Sequence, residues 1–155
     1  MNIGDIVEQK GHTVIGVQQY ETAAQMLSVV SEHNIGAVVV LDNTKVVGVC
    51  SERDVARALA KFGGHVLVEP VSGIMSTPVH TCSLTDSVSD VMEQMTDGHM
   101  RHMPVLENNT LVGLVSIGDV VAAHLNMFEF ERRNLIARFE QSQRELAGLT
   151  GGHIR

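Results

Sequence analysis

The sequence predicts an α/β (α+β) fold of two tandem repeats, each a small three-stranded sheet with two helices, related by pseudo-two-fold symmetry, plus a C-terminal helix. Three observations predict it. Residues 48–54 read Gly-Val-Cys-Ser-Glu-Arg-Asp and return at residues 113–119 as Gly-Leu-Val-Ser-Ile-Gly-Asp, 65 positions on. The same offset pairs Val40 with Val105, Leu41 with Leu106, Asn43 with Asn108 and Val47 with Val112, and needs no gap between residues 14 and 59. Finally, residues 126–155 repeat nothing and read as a charged, proline-free amphipathic helix and tail. A duplicated unit this small does not bury its apolar face alone, so the copies are expected to pack together. The expected boundaries are 1–64 for the first repeat, 65–125 for the second and 126–155 for the helix.

Each element has its own signal. Residues 14–17 are a short apolar run between polar turn residues and predict the first strand. Residues 21–32 place Ala24, Met26, Leu27 and Val30 at helical spacing, and Asn34 with Gly36 stops that helix. Residues 37–41 are continuously apolar, the pattern of a buried strand. Asp42-Asn43-Thr44 turns the chain into a second strand over residues 45–50. Ser51 opens a helix to about Lys61, ended by Gly63-Gly64.

The second copy follows suit, with a strand over 79–82 and a helix over 87–95. A hairpin over 103–106 and 110–115 follows, and Ser116 opens a helix to about His124. Residues 3–7 look like a diverged copy of residues 71–75. In the tail, Phe128, Leu135, Phe139, Leu146 and Leu149 form an a/d seam with Arg132 and Ser142 as polar gaps. That seam fits a helix packed on its own domain or one between subunits.

Composition narrows the function. With 155 residues the chain can build one unit with a real core, drawn from Val, Leu, Ile, Met and Ala because aromatics are 3%. A formal net charge of −7 argues against nucleic acid and against an anionic membrane surface, both of which want clustered Lys and Arg. The longest apolar run, residues 35–41, is too short to span a bilayer, and the N-terminus shows no signal-peptide pattern. Cys50 and Cys82 have no metal-ligand spacing and read as reduced core thiols of a cytoplasmic protein.

The repeated motif carries the chemistry. Ser51-x-x-Asp54 and Ser116-x-x-Asp119 are capping boxes, which is their structural reading. They also follow a strand that ends in Gly-x-x, so a helix N-terminus opens at a strand end, where N–H groups and the helix dipole suit a phosphate. A carboxylate one turn in can accept two ribose hydroxyls. Gly118 leaves the second helix entrance open, whereas Arg53 puts a guanidinium at the equivalent place. The two anion environments are therefore expected to differ. His99, Met100, Arg101, His102 and Met103 lack the spacing of a metal site. No nucleophile-base pair or unequal carboxylate dyad stands out, so no catalytic residue is assigned and no enzyme is expected.

On these residues the chain resembles the CBS-domain family, whose tandem pairs form Bateman modules. The family motif, Gly-hydrophobic-x-Ser/Thr-x-x-Asp, is matched by Gly48, Val49, Ser51 and Asp54 and again by Gly113, Leu114, Ser116 and Asp119. Ile74-Met75-Ser76-Thr77-Pro78-Val79 and Arg101-His102-Met103-Pro104-Val105 are also family-like. The resemblance covers about residues 3–125 and is closest to stand-alone bacterial pairs; it departs at Gln19 and Leu84, where a proline is frequent.

The resemblance implies a regulatory module that binds an adenine nucleotide between the repeats: AMP, ADP, ATP or NAD(H), with no cofactor required. It implies ribose contacts at Asp54 with Ser51 and at Asp119 with Ser116, and adenine beside Ile15 and Val38 in one site and beside His80 and Pro104 in the other. Arg53, Arg101 and His102 are the phosphate candidates, and Gly36, Met103, Ile117 and Gly118 complete the expected lining. A homodimer and an unidentified downstream protein are the expected partners. The alternatives are a ligand-free dimerisation scaffold, or binding of S-adenosylmethionine.

Overall fold

Side-chain caps start the helices wherever Asn, Ser or Thr precedes an apolar stripe. Residues 1–151 are described by a computed structural model. In chain order the elements are α1 (Ile3–Lys10), β1 (Gly16–Gln18), α2 (Ala23–His33), β2 (Ala37–Asp42), β3 (Lys45–Ser51), α3 (Glu52–Phe62), α4 (Val88–Asp97), β4 (His102–Glu107), β5 (Thr110–Ser116) and α5 (Ile117–Gly151), with short 3-10 turns at Gly64–Val68 and Val71–Gly73. Asn2, Thr22, Ser51 and Ser87 cap α1, α2, α3 and α4 by accepting from the backbone N–H three residues on.

The duplication is visible in the backbone. In the first sheet β1 runs parallel to β2, and β2 pairs antiparallel with β3. In the second, β4 pairs antiparallel with β5. The register of each hairpin slips at the same place, between Val40 and Leu41 and between Val105 and Leu106. Positive-φ residues repeat too: Asn34 with His99 after the helices, and Asn43 with Asn108 in the hairpin turns.

One predicted strand is reduced to a single bridge. Residues 79–82 form no strand; only Cys82 pairs, in parallel, with Val105. The cause is Pro104. In the first sheet the Val39 N–H donates to the Ile15 carbonyl at 3.2 Å. The equivalent of Val39 is Pro104, which has no N–H to donate to His80. The remaining bonds, Cys82 N–H to Pro104 O and Leu106 N–H to Cys82 O, hold one residue. The second sheet therefore has two strands rather than the expected three.

Each half has its own core, and each core borrows from the segment that leads into the other repeat. Val17, Met26, Val30, Val38, Val40, Cys50 and Val55 of the first half pack with Val71, Ile74 and Met75. Val88, Val91, Met95, Met103, Val105, Val115 and Val120 of the second half pack with Ile3, Ile6 and Val7 of α1. This exchange explains the glycine of the repeated motif. A Cβ on Gly48 would lie 2.6 Å from Met75 Sδ and 3.1 Å from the Ser76 carbonyl, and one on Gly113 would lie 3.0 Å from Val7 Cγ2. The motif glycines are the sockets that receive the exchanged segments.

The helix expected to end near His124 and the amphipathic tail are one continuous 35-residue helix, α5. No proline or glycine interrupts residues 119–147 to break it. Its first turns are held on the second half through Val120 and Ala123, with Met127 partly covered. From Phe128 onward every described residue is exposed. No described helix is long and apolar enough to cross a membrane.

Candidate functional site

The motif residues act first as caps. At the junction of β3 and α3, Ser51 Oγ accepts from the Asp54 N–H (3.2 Å), while Asp54 Oδ2 accepts from the Ser51 N–H (2.8 Å). The second copy repeats this at 3.1 and 2.9 Å between Ser116 and Asp119. Each box satisfies two of the orphan donors of a helix start. It engages only one oxygen of each aspartate in the cap. Asp54 Oδ1 is left with one long contact, from the Ser76 hydroxyl at 3.5 Å.

Asp54 opens into a cleft of about 420 Å³ between the two halves. Its wall combines Ser51, Arg53, Asp54 and Arg57 from the first repeat, Ser76 and Thr77 from the link, and His80, Arg101 and His102 from the second repeat. The pairing is crossed: the motif of one copy faces the first-strand segment and hairpin start of the other. Three arginines and one carboxylate line this cleft in a chain of net charge −7, and none of the three makes an ion pair among the described residues. The cleft is thus a cationic pocket with one carboxylate oxygen held only by a long hydroxyl contact. It is set up to take an anion and a pair of hydroxyls at once.

The second cleft, of about 350 Å³, is different. Ile15, Ile35, Gly36, Ala37 and Leu114 give it an apolar wall, with Ser116 as a hydroxyl and Lys10 and His102 as its basic groups. His102 therefore borders both clefts. Asp119 is not in that wall. It lies in a third hollow with Asp5, Gln9 and Lys10. Its Oδ2 accepts from Lys10 Nζ at 2.6 Å, and the same ammonium donates to the Leu114 carbonyl at 3.0 Å. Asp54 has no such cation on it.

Electrostatics follow this geometry. Burial alone would push the Asp119 carboxyl up, but the Lys10 hydrogen bond, the Ser116 N–H and the Lys10 charge together hold it below its ordinary range. Burial pushes the His102 imidazole down, and the Lys10 ammonium pushes it further, so it is neutral near pH 7 and offers a hydrogen bond rather than a charge. Burial, with a smaller contribution from Asp54 or Asp86, pushes the Cys50 and Cys82 thiols up to about 12, so both are inert.

Other anticipated residues lie elsewhere. Val38, Met103 and Pro104 are buried and border neither cleft. Ile117 packs against the core of the second half. Gly118 is exposed, and a Cβ there would meet only Ser116 Oγ at 3.7 Å. Sequence reasoning passed over Arg57, Ser76 and Lys10. Arg57 was findable, since it stands one helical turn after Arg53 on the same face. Lys10 left no local sign.

Comparison with known proteins agrees with this architecture. The CBS domain family model matches twice, over residues 4–61 and 71–126. The mitochondrial CBS domain-containing protein CBSX3 of Arabidopsis thaliana is 31% identical over 143 residues, spanning 85% of this chain and 69% of its own. The crystal structure of a CBS-domain containing protein from Agrobacterium tumefaciens is 38% identical with a TM-score of 0.76, covering 80% of this chain and 99% of that one. A CBS domain protein from Pyrobaculum aerophilum, solved in complex with AMP, is 28% identical with a TM-score of 0.67, covering 77% of this chain and 89% of that one.

Proposed function

The chain belongs to the CBS domain family, and on that premise we propose that it is a regulatory module that binds an adenine nucleotide in the Asp54 cleft and reports energy or redox state through its shape or dimer geometry. The observation that carries this reading is the gathering of Arg53, Arg57 and Arg101 on a wall whose one carboxylate, Asp54, has an oxygen held only by the 3.5 Å Ser76 contact. Asp54 Oδ1 accepts the ribose hydroxyls, the guanidiniums hold the phosphates, and His80 and His102 flank the base. The related Pyrobaculum protein that binds AMP supports a nucleotide of that class. ADP, ATP and NAD(H) carry the same ribose and phosphate. S-adenosylmethionine fits less well, because its sulfonium would face three like charges.

In this reading residues 1–64 and 65–125 are halves of one binding unit, since each cleft takes groups from both. The module is a cytoplasmic homodimer that acts on a downstream protein, without nucleic acid or membrane. It binds its ligand and does not turn it over. One observation favours a second reading, a ligand-free dimerisation scaffold: both Ser-x-x-Asp boxes are satisfied as caps, and Asp119 is further occupied by Lys10.

A calorimetric screen of AMP, ADP, ATP, NADH and S-adenosylmethionine separates the two readings. The nucleotide module gives saturable heat with at least one phosphorylated ligand, and ATP and NADH are recovered intact. Silence with all five establishes the scaffold, and hydrolysis or oxidation of either ligand contradicts a purely binding role.

A further inference from the structure

We propose that the distal part of α5 is an interface with a second copy of this chain, and that the two helices run antiparallel about a two-fold axis at the level of residue 137. The proposal is independent of any nucleotide. It starts from a surface the body does not cover. Leu125, Phe128, Leu135, Phe139, Leu146 and Leu149 are each 57–72% exposed. The CBS domain match ends at residue 126, so most of this surface lies outside the duplicated unit.

The spacing of these side chains is that of a coiled-coil seam. Counting Arg132 and Ser142 in place, steps of three and four alternate without a break from Leu125 to Leu149. The seam is about 36 Å long at 1.5 Å per residue. Three to four heptads are enough to specify a coiled coil. The root of the seam is fixed, because Val120 and Ala123 are buried in the core of the second half and Met127 packs against it.

The two polar positions choose the occupant and its direction. In an antiparallel pair an a residue faces a d residue of the other helix. With the axis at residue 137, Leu135 faces Phe139 of the second copy, Phe128 faces Leu146, and Leu125 faces Leu149. Arg132 then faces Ser142, so both polar residues of the seam meet each other and every apolar residue meets an apolar one. Sliding the helices by one heptad puts Arg132 against Leu135 or Leu149. A parallel in-register pair puts the two Arg132 guanidiniums together. In those alternatives Arg132 faces an apolar side chain or a second guanidinium, whereas Ser142 offers it a hydroxyl acceptor. Arg132 also brings Glu129 with it, 3.9 Å away on its own helix. The seam is complementary to itself, in one register, and its partner is therefore a second copy.

Spin labels on the full chain test this. Arg133→Cys and Ala147→Cys place a label on exposed positions outside the seam. The buried native thiols, at about pKa 12, stay unlabelled. The antiparallel register separates the two copies' labels along the axis by about 12 Å at position 133 and about 30 Å at position 147. The expected result is a clearly longer inter-label distance at 147 than at 133. Light scattering is expected to give twice 16.8 kDa for the parent and for Phe130→Ser, which alters an aromatic off the seam, and one chain mass for Leu135→Asp/Phe139→Asp. Equal distances at the two positions would mean a parallel pair and overturn the register. A monomeric parent, or a dimer that survives Leu135→Asp/Phe139→Asp, overturns the interface.

Discussion

Lys10 and Asp119 are 109 residues apart in sequence and meet at 2.6 Å. That contact makes the two copies of the motif chemically unequal although their caps are the same. Lys10 also acts on His102, whose imidazole is pushed down first by burial and then by the Lys10 ammonium. Lys10→Met removes the like charge beside His102 and the donor on Asp119. The expected outcome is an upward shift of both titrations, followed by NMR, with His102 staying below its ordinary value because burial remains. An unmoved His102 titration contradicts the coupling.

The same shift fixes a pH dependence. Because the folded His102 binds its proton later than the unfolded chain does, stability is full above about pH 6.5, its ordinary value, and declines as pH falls below it. Thermal unfolding between pH 7.5 and 5 is expected to show this decline, and His102→Gln to flatten it. A stability independent of pH over that range contradicts it. At this scale the sequence was partly legible. Ser51, Arg53 and Asp54 could be placed from the motif alone, whereas Lys10 could not, because its partner is chosen by how α1 docks on the second half.

At the scale of elements, the helices announced themselves and the edge of the second sheet did not. Thr22, Ser51 and Ser87 stand immediately before helices the sequence predicted, so those starts were readable within a residue or two, whereas α1 behind Asn2 was read only as a diverged copy of residues 71–75. The loss of a strand at residues 79–82 depends on Pro104 in a neighbouring strand, a pairing that no local pattern displays. The exchange of leading segments was half visible, since residues 3–7 resemble 71–75, but which half each completes is a tertiary fact. It yields a sharp expectation for the motif glycine. Gly48→Ala forces a methyl against Met75 and the Ser76 carbonyl and is expected to cost about 1–3 kcal/mol. Gly64→Ala, with nothing within 4 Å of its added Cβ, is expected to be close to neutral. Denaturant unfolding of the two variants checks the contrast, and equal losses would contradict the socket.

The whole molecule places two clefts between two halves and fills them differently. One gathers Arg53, Arg57, Arg101 and Asp54; the other has a largely apolar wall, and its motif aspartate lies outside it, bonded to Lys10. A duplicated sequence has thus produced two chemically unequal clefts. In the proposed site, removing Asp54 would take away charged hydrogen bonds to the ribose worth about 2–4 kcal/mol of binding, or roughly 30-fold to several hundred-fold in affinity. Asp119 lies outside both clefts and its Oδ2 already accepts from Lys10, so its removal is expected to cost far less. The most direct test is calorimetric titration of AMP into the parent protein, Asp54→Ala and Asp119→Ala, at one pH and ionic strength. The account predicts that Asp54→Ala loses most of the affinity while Asp119→Ala keeps it within a few-fold; equal losses in the two variants, or none in Asp54→Ala, would contradict it.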